Sequence, residues 1–145
     1  MKQPGVILTL IVFIAAVSWA LAAQQEKVVR PLTASLSGSA EKPEAGDSDG
    51  GGVARVTFLS DENRICYEAT LTNIQSPESV SIHSGTFEQV GPVVIKFGGP
   101  ANEIKGCATI EHYKLLDIAR TPANYYINVT NQEFPNGALR GQLGK

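Results

Sequence analysis

The part of the chain that most constrains its fold is the stretch 124–143, which reads NYYINVTNQEFPNGALRGQL. Apolar and polar side chains alternate over 125–130 and again over 139–143, which is the period of half-buried strands. Between them, Pro135 supplies a fixed φ and Gly137 tolerates a positive φ where the chain must reverse. The stretch therefore predicts a β-hairpin. Its predicted inward side chains are Tyr125, Ile127, Val129, Leu139 and Leu143, and its outward side chains are Tyr126, Asn128, Thr130, Arg140 and Gln142.

Similar alternating segments follow one another at short intervals along the rest of the chain. One segment departs from this period, because Leu115, Ile118 and Ala119 recur at helical spacing and Pro122 follows them. It predicts a short helix over 111–120, packed as a lid over the core. The sequence therefore predicts an all-β fold, an antiparallel Greek-key-like β-sandwich or barrel of about eight short strands with one short helix. The other predicted strands lie around 32–40, 54–58, 64–71, 79–83, 93–97 and 104–110.

The N-terminal residues 1–23 have the pattern of a signal peptide. A positive charge precedes the apolar run 6–17, and the small residues Ala20 and Ala22, on either side of Leu21, form a cleavage site. We expect cleavage to leave a short flexible segment, 24–31, and one β domain over 32–145. The alternative is an uncleaved membrane anchor, since the apolar run is nearly long enough to span a bilayer. The leader predicts a secreted or periplasmic protein.

The stretch 41–52 is rich in glycine and acidic residues and interrupts the predicted strands. A segment of this composition is typical of a surface loop, because it offers almost no apolar side chain to bury. We expect it to be mobile and to bury nothing. The carboxyl groups from Glu41 to Asp49 would then lie where nothing raises their pKa.

Cys66 and Cys107 both fall in the polar phase of their predicted strands. In a small exported domain, a lone pair of cysteines is more often a disulfide than a redox or metal site. We therefore predict a Cys66–Cys107 bridge between neighbouring strands on an outer surface, with two free thiols as the alternative. Closing this loop of about 40 residues would stabilise the fold by up to roughly 4 kcal/mol, less any strain.

Several short motifs, taken in order, resemble the CHRD domain, a family named after chordin. The order and spacing of the motifs make the resemblance specific, whereas any one of them would be weak. It implies an all-β extracytoplasmic domain of the stand-alone, bacterial secreted type. In chordin such domains accompany growth-factor-binding modules, and no general activity follows for stand-alone members. The motifs are the closing stretch 124–143, SGSAEKP at 37–43, ICY at 65–67, IHSG at 82–85, GPVV at 91–94 and GC at 106–107.

Two positions depart from the family pattern. Family members commonly carry His-x-His before the glycine and a further histidine two residues after the asparagine of the last-but-one strand. Here Ser81 and Thr130 occupy two of these positions, and His83 alone matches. Three imidazoles could hold copper or zinc, whereas one cannot. We therefore expect no metal and no cofactor, and take His83 as a hydrogen-bonding residue that supports a loop. A degenerate copper- or zinc-binding β-sandwich, with His83 as a weak ligand, is the alternative.

Arg140 and Asn128 are the candidate structural or ligand-contacting residues of the closing hairpin. The planar guanidinium of Arg140 suits either an anionic ligand or an acidic partner such as Glu133, which would pin the hairpin. We favour the second reading. Asn128 begins the sequence Asn-Val-Thr, a glycosylation sequon that we interpret as accidental.

Together these features favour a non-catalytic binding or structural module. A hydrolase needs a nucleophile beside a base, but the chain has two histidines and no Gly-x-Ser-x-Gly motif. We expect no catalytic residues and therefore no enzyme. The expected partner is an unknown protein or extracellular ligand. We expect no nucleic-acid partner, because the net charge of the chain is −2 and its acidic and basic residues are interspersed. A membrane is a partner only if the leader is uncleaved.

Overall fold

The computed structural model describes residues 30–97 and 105–145. The predicted signal peptide, and all but the last two residues of the segment 24–31, lie outside the described residues. The described part folds into eight antiparallel strands and one α-helix, which confirms the predicted all-β fold. The strands are β1 (Leu32–Ser37), β2 (Gly51–Leu59), β3 (Arg64–Thr72), β4 (Ser79–Ser84), β5 (Val93–Lys96), β6 (Lys105–Thr109), β7 (Tyr125–Thr130) and β8 (Leu139–Gln142), and the helix α1 is His112–Arg120.

The strands form one sheet in the order β5-β4-β7-β8-β1-β2-β3-β6. This order places β5 and β6 at the two edges. The Phe97 ring, directly after β5, packs on the Tyr67 ring of β3 with their centroids 4.5 Å apart. Because β3 is the neighbour of β6, this contact brings the two edges of the sheet towards each other. The sheet is therefore a nearly closed barrel rather than two separate layers.

The core lies inside the curved sheet and contains the side chains that the alternation assigns to it. On the closing hairpin, Ile127, Val129 and Leu139 are fully buried in it. The helix α1 adds Leu115 and Ile118, also fully buried, so it covers the core as predicted. Within the described residues, no helix has the length and apolar character that crossing a membrane requires.

The disulfide prediction is confirmed. Cys66 and Cys107 are directly opposite each other on β3 and β6 and are bonded, with Cα atoms 4.0 Å apart. Cys107 is exposed and Cys66 is half-buried, so the bridge lies on the outer surface of the sheet. It ties an edge strand to its only hydrogen-bonded neighbour among the described strands.

The prediction that 41–52 buries nothing is wrong. The backbone N–H of Asp47 donates to the Ala138 carbonyl, and the N–H of Gly46 donates to the Gly38 carbonyl. A Cβ atom on Gly46 would lie 2.3 Å from the Ala138 oxygen, so this position requires a glycine. Glycines allow backbones to approach closely, and the segment is therefore held against the β7–β8 turn by its main chain. The amino-acid composition of the segment does not indicate this burial, because few apolar side chains take part in it.

Candidate functional site on the outer face of β4, β7 and β8

The outer faces of β4, β7 and β8 carry a continuous set of polar side chains, which we call the polar face. Alternation sends these side chains away from the core, as predicted for the closing hairpin. The register then brings them together across strands, since Ser81 pairs with Asn128 and Asn128 pairs with Arg140. The polar face comprises Ser79, Ser81, His83, Tyr126, Asn128, Thr130, Arg140 and Gln142.

Arg140 is the most buried charge of the polar face, with 1% of its surface exposed. Its Nη2 donates to the carbonyl oxygens of Thr86 and Gln89, each at 2.8 Å. Both acceptors belong to the β4–β5 loop, residues 85–92. Of the donors that remain, Nε and Nη1 have no hydrogen-bond partner among the described residues. The acidic partner that we expected, Glu133, is exposed, and the bonds of Arg140 go to backbone carbonyls instead.

The Tyr126 ring is held between two polar-face side chains. The guanidinium carbon of Arg140 lies 3.6 Å from the ring centroid, a cation–π contact. The His83 ring stacks on the same ring at 5.1 Å between centroids. Since β7 lies between β4 and β8 in the sheet, these contacts come from opposite sides of the strand. Tyr126 is therefore part of a buried polar layer rather than a solvent-exposed platform.

Gln142 and His83 fasten the same β4–β5 loop at its two ends. The side-chain amide of Gln142 donates to the Gly85 carbonyl at 2.8 Å, and Nδ1 of His83 lies 2.9 Å from the Gly91 carbonyl oxygen. Together with Arg140, these bonds fix the loop from beneath. The loop nevertheless exposes more than half of the Phe87 and Val90 side chains. The prediction that His83 supports a loop by hydrogen bonding agrees with this contact.

Glu41 is a buried carboxyl group that the sequence did not reveal. Only 5% of its surface is exposed, and it lies directly against Gly137, where an added Cβ would approach its carboxyl oxygens to 2.5 Å. Burial raises the pKa of Glu41 to about 7, although the nearby charge of Arg140 and the backbone N–H of Lys42 both lower it. The expectation that nothing in this segment raises a pKa is therefore wrong. Glu41 belongs to the SGSAEKP motif of residues 37–43, and its place in that motif was the one sequence signal that set it apart from the other acidic residues of the segment.

Asn128 lies at the centre of the polar face with 4% of its surface exposed. Its Nδ2 donates to the Asn136 carbonyl at 3.1 Å, whereas its Oδ1 has no partner among the described residues. A glycan attached to Nδ2 would have to fit where this side chain is buried and would disturb its bond to the Asn136 carbonyl. The structure thus agrees with an accidental sequon and gives Asn128 a bond to the β7–β8 turn.

A groove of about 510 Å³ runs along the outer side of β4, β5 and β7. Its volume lies within the range of small-molecule sites, roughly 300–1,000 Å³. Both hydroxyl and charged groups line it, and Ser79 and Thr130 share a 2.8 Å hydrogen bond there. The unpartnered Oδ1 belongs to one of its lining residues, Asn128. The polar lining residues are Glu78, Ser79, Ser81, His83, Lys96, Asn128, Thr130 and Asn136, with Val93 and Pro135 beside them.

The model of the CHRD domain matches residues 32–143, which include every strand described above. The chain belongs to the CHRD domain family. No curated protein and no solved structure matches the chain.

The CHRD resemblance singled out three positions, and the fold brings all three into the groove. Ser81, His83 and Thr130 line it together. Within residues 30–97 and 105–145, no group of three or more His, Cys, Asp or Glu side chains is placed to hold a metal ion. His83 instead binds Ser81 at 3.0 Å through Nε2. This pair was not predicted, although the Ser-x-His spacing of Ser81 and His83 on one strand face is a signal for it.

Proposed function

We propose that this CHRD domain is an extracytoplasmic, non-catalytic binding module whose ligand surface is the groove. The observation that carries the proposal is the polar lining of the groove, which brings together the hydroxyl groups of Ser79, Ser81 and Thr130 with Asn128 and Lys96. Hydroxyl and amide side chains can both donate hydrogen bonds to a ligand and accept them from it. The groove is thus suited to a small polar ligand.

The walls of the groove also support binding. The turn at Pro135 and Asn136 forms one side and is fastened by Asn128 and backed by Glu41. On the other side, β5 pairs with β4 in the sheet. Sites on rigid elements hold a ligand with less loss of entropy than mobile loops do.

The disulfide supports an extracytoplasmic location. Bridges such as Cys66–Cys107 form and persist in oxidising compartments and are rare in the cytosol. The leader predicted from residues 1–23 points to the same compartment.

The proposal is tested by titrating the isotope-labelled protein with a panel of neutral disaccharides and uncharged tripeptide amides and following the amide signals by NMR. We expect shifts of the Asn128 side-chain amide and of residues 79–83. Thr130→Val removes a hydroxyl at constant shape and should weaken binding by about 2- to 10-fold. Thr70→Val, an exposed site on β3, is the matched control. Shifts confined to other surfaces, or unaltered affinity of Thr130→Val, would contradict the proposal.

A further inference from the structure

Ser81 and His83 form a hydrogen-bonded pair inside the groove that binding alone does not require. Ser81 Oγ lies 3.0 Å from Nε2 of His83, and Nδ1 of the same ring lies 2.9 Å from the Gly91 carbonyl oxygen. A carbonyl oxygen can only accept a hydrogen bond, so Nδ1 carries the proton in the neutral ring. Nε2 is then the acceptor, and the hydroxyl of Ser81 donates to it.

This is the arrangement that activates a serine. A nucleophile lies within hydrogen-bond reach of a base, and a third group fixes the orientation and tautomer of that base. Here the Gly91 carbonyl is the third group, and the stacked Tyr126 ring prevents the imidazole from turning away. Because Arg140 packs on Tyr126, the support of the base extends into the buried polar layer.

The side chains beside Ser81 can stabilise the negative charge that develops when a serine attacks an acyl donor. The register places Ser81 between Asn128 on β7 and Lys96 on β5. Both residues line the groove, and an ammonium group there can stabilise negative charge that develops on an oxygen. Ser81 itself is 5% exposed, so a reagent reaches its hydroxyl only through the groove.

We propose that Ser81 is a nucleophile, activated by His83, that accepts the acyl group of a carboxylic ester bound in the groove. Ser81 Oγ attacks the carbonyl carbon, and its proton passes to Nε2 of His83. The new Oγ–carbon bond forms as the bond to the alcohol oxygen breaks, and the alcohol leaves with the proton from His83. The acyl group stays on Ser81. This goes beyond the binding function proposed above, which involves no covalent step.

The test treats the intact, disulfide-bonded protein with a fluorophosphonate probe and, separately, with p-nitrophenyl acetate, and follows the protein mass. With the probe, the phosphorus–fluorine bond breaks as the Oγ–phosphorus bond forms. We expect one modification per chain, located on Ser81 by peptide mapping. Ser81→Ala should abolish it, and His83→Gln should slow it by about 100-fold, the usual contribution of a general base. Ser35→Ala, on the outer face of β1, should react like the wild type.

A second measurement does not depend on whether these reagents fit the groove. In Ser81→Cys, the new thiol should react with iodoacetamide at least about 10-fold faster than in Ser81→Cys combined with His83→Gln, because a neighbouring imidazole favours the thiolate. Equal alkylation rates in folded protein, or labelling that persists in Ser81→Ala, would overturn the inference. If residue 81 proves unreactive but ligands still shift the amide signals of residues 79–83, the acylation proposal is wrong and the binding proposal stands. If these ligand shifts are also absent, both proposals are wrong.

Discussion

Arg140 is a buried cation whose partners are the two carbonyl oxygens of Thr86 and Gln89. Strand alternation predicted that it would leave the core, because alternation depends only on neighbouring residues. Its partners were not predictable in the same way. They lie more than fifty residues away along the chain, at separations of 54 and 51, and meet Arg140 only because β4 and β8 flank β7.

We predict that Arg140→Ala lowers the free energy of unfolding by about 1–3 kcal/mol, because two carbonyls lose a charge-assisted bond. Arg140→Lys should recover only part of this, since an ammonium cannot lie flat on Tyr126 and reach both carbonyls. Urea denaturation followed by circular dichroism measures both. If the midpoints of both variants equal that of the wild type, the structural role of Arg140 is wrong and a ligand role takes its place.

Glu41 makes stability depend on pH in an unusual direction. Its pKa is raised from 4.5 to about 7 in the folded chain, so the native state keeps a proton that the unfolded state releases between these values. The contribution of protonated Glu41 to the free energy of unfolding is therefore fully present below pH 4.5 and is lost as the pH rises through 7. We predict that Glu41→Gln, which cannot ionise, gains stability relative to the wild type from pH 5 to pH 8. A parallel dependence of the two proteins across this range in urea melts would contradict the raised pKa.

The convergence of Ser81, His83 and Thr130 can be tested by restoring the family pattern. We predict that Ser81→His combined with Thr130→His raises zinc affinity at least about 100-fold over the wild type, because three imidazoles then replace one. Isothermal titration with zinc measures this, with Thr70→His as a single-imidazole control. Stoichiometric, tight metal binding by the unaltered protein that His83→Ala removes would instead support the degenerate metal-binding alternative.

At the scale of strands, the disulfide has a defined mechanical role. It fastens the edge strand β6 to β3 across the outer surface. The sequence predicted the pairing from a lone pair of cysteines in an exported domain. It predicted the outer face from strand phase, since each cysteine is opposite in phase to its apolar neighbours. It could not predict that β6 would be an edge, because the order of strands depends on contacts across the whole chain.

We predict that Cys66→Ser combined with Cys107→Ser lowers the free energy of unfolding by about 2–4 kcal/mol, because the unfolded chain is no longer constrained. Chemical denaturation of both proteins measures the difference. Mass spectrometry of unreduced peptides from the native wild type should show the two cysteines linked. Alkylation of both cysteines in the native protein would contradict the bridge.

At the scale of the whole molecule, the fold class and core followed from the sequence, whereas the packing of the loops did not. Alternation identified the inward side chains of nearly every strand, and helical spacing identified α1. The stretch 41–52 was misjudged because its burial comes from close backbone approach at Gly46 and from one carboxyl group, Glu41. Side-chain hydrophobicity carries no signal of either contact.

The two ends of the domain lie side by side. Thr33 and Gly144 exchange both backbone hydrogen bonds, at 2.9 and 2.8 Å. We predict that a circular permutant, with a short Gly-Ser linker from Lys145 to Pro31 and new ends between Asp61 and Glu62, keeps the far-ultraviolet circular dichroism and cooperative melting of the parent. An unfolded permutant would mean that the β2–β3 turn is needed for folding.

This adjacency also has an evolutionary consequence. A domain whose two ends are adjacent can be inserted into a surface loop of another protein, or duplicated head to tail, without distorting the backbone of the host. A chain of such copies in series would carry one groove in each copy. Several grooves in one chain would then raise the overall affinity for a repetitive ligand through multivalency, without a tighter contact at any single groove.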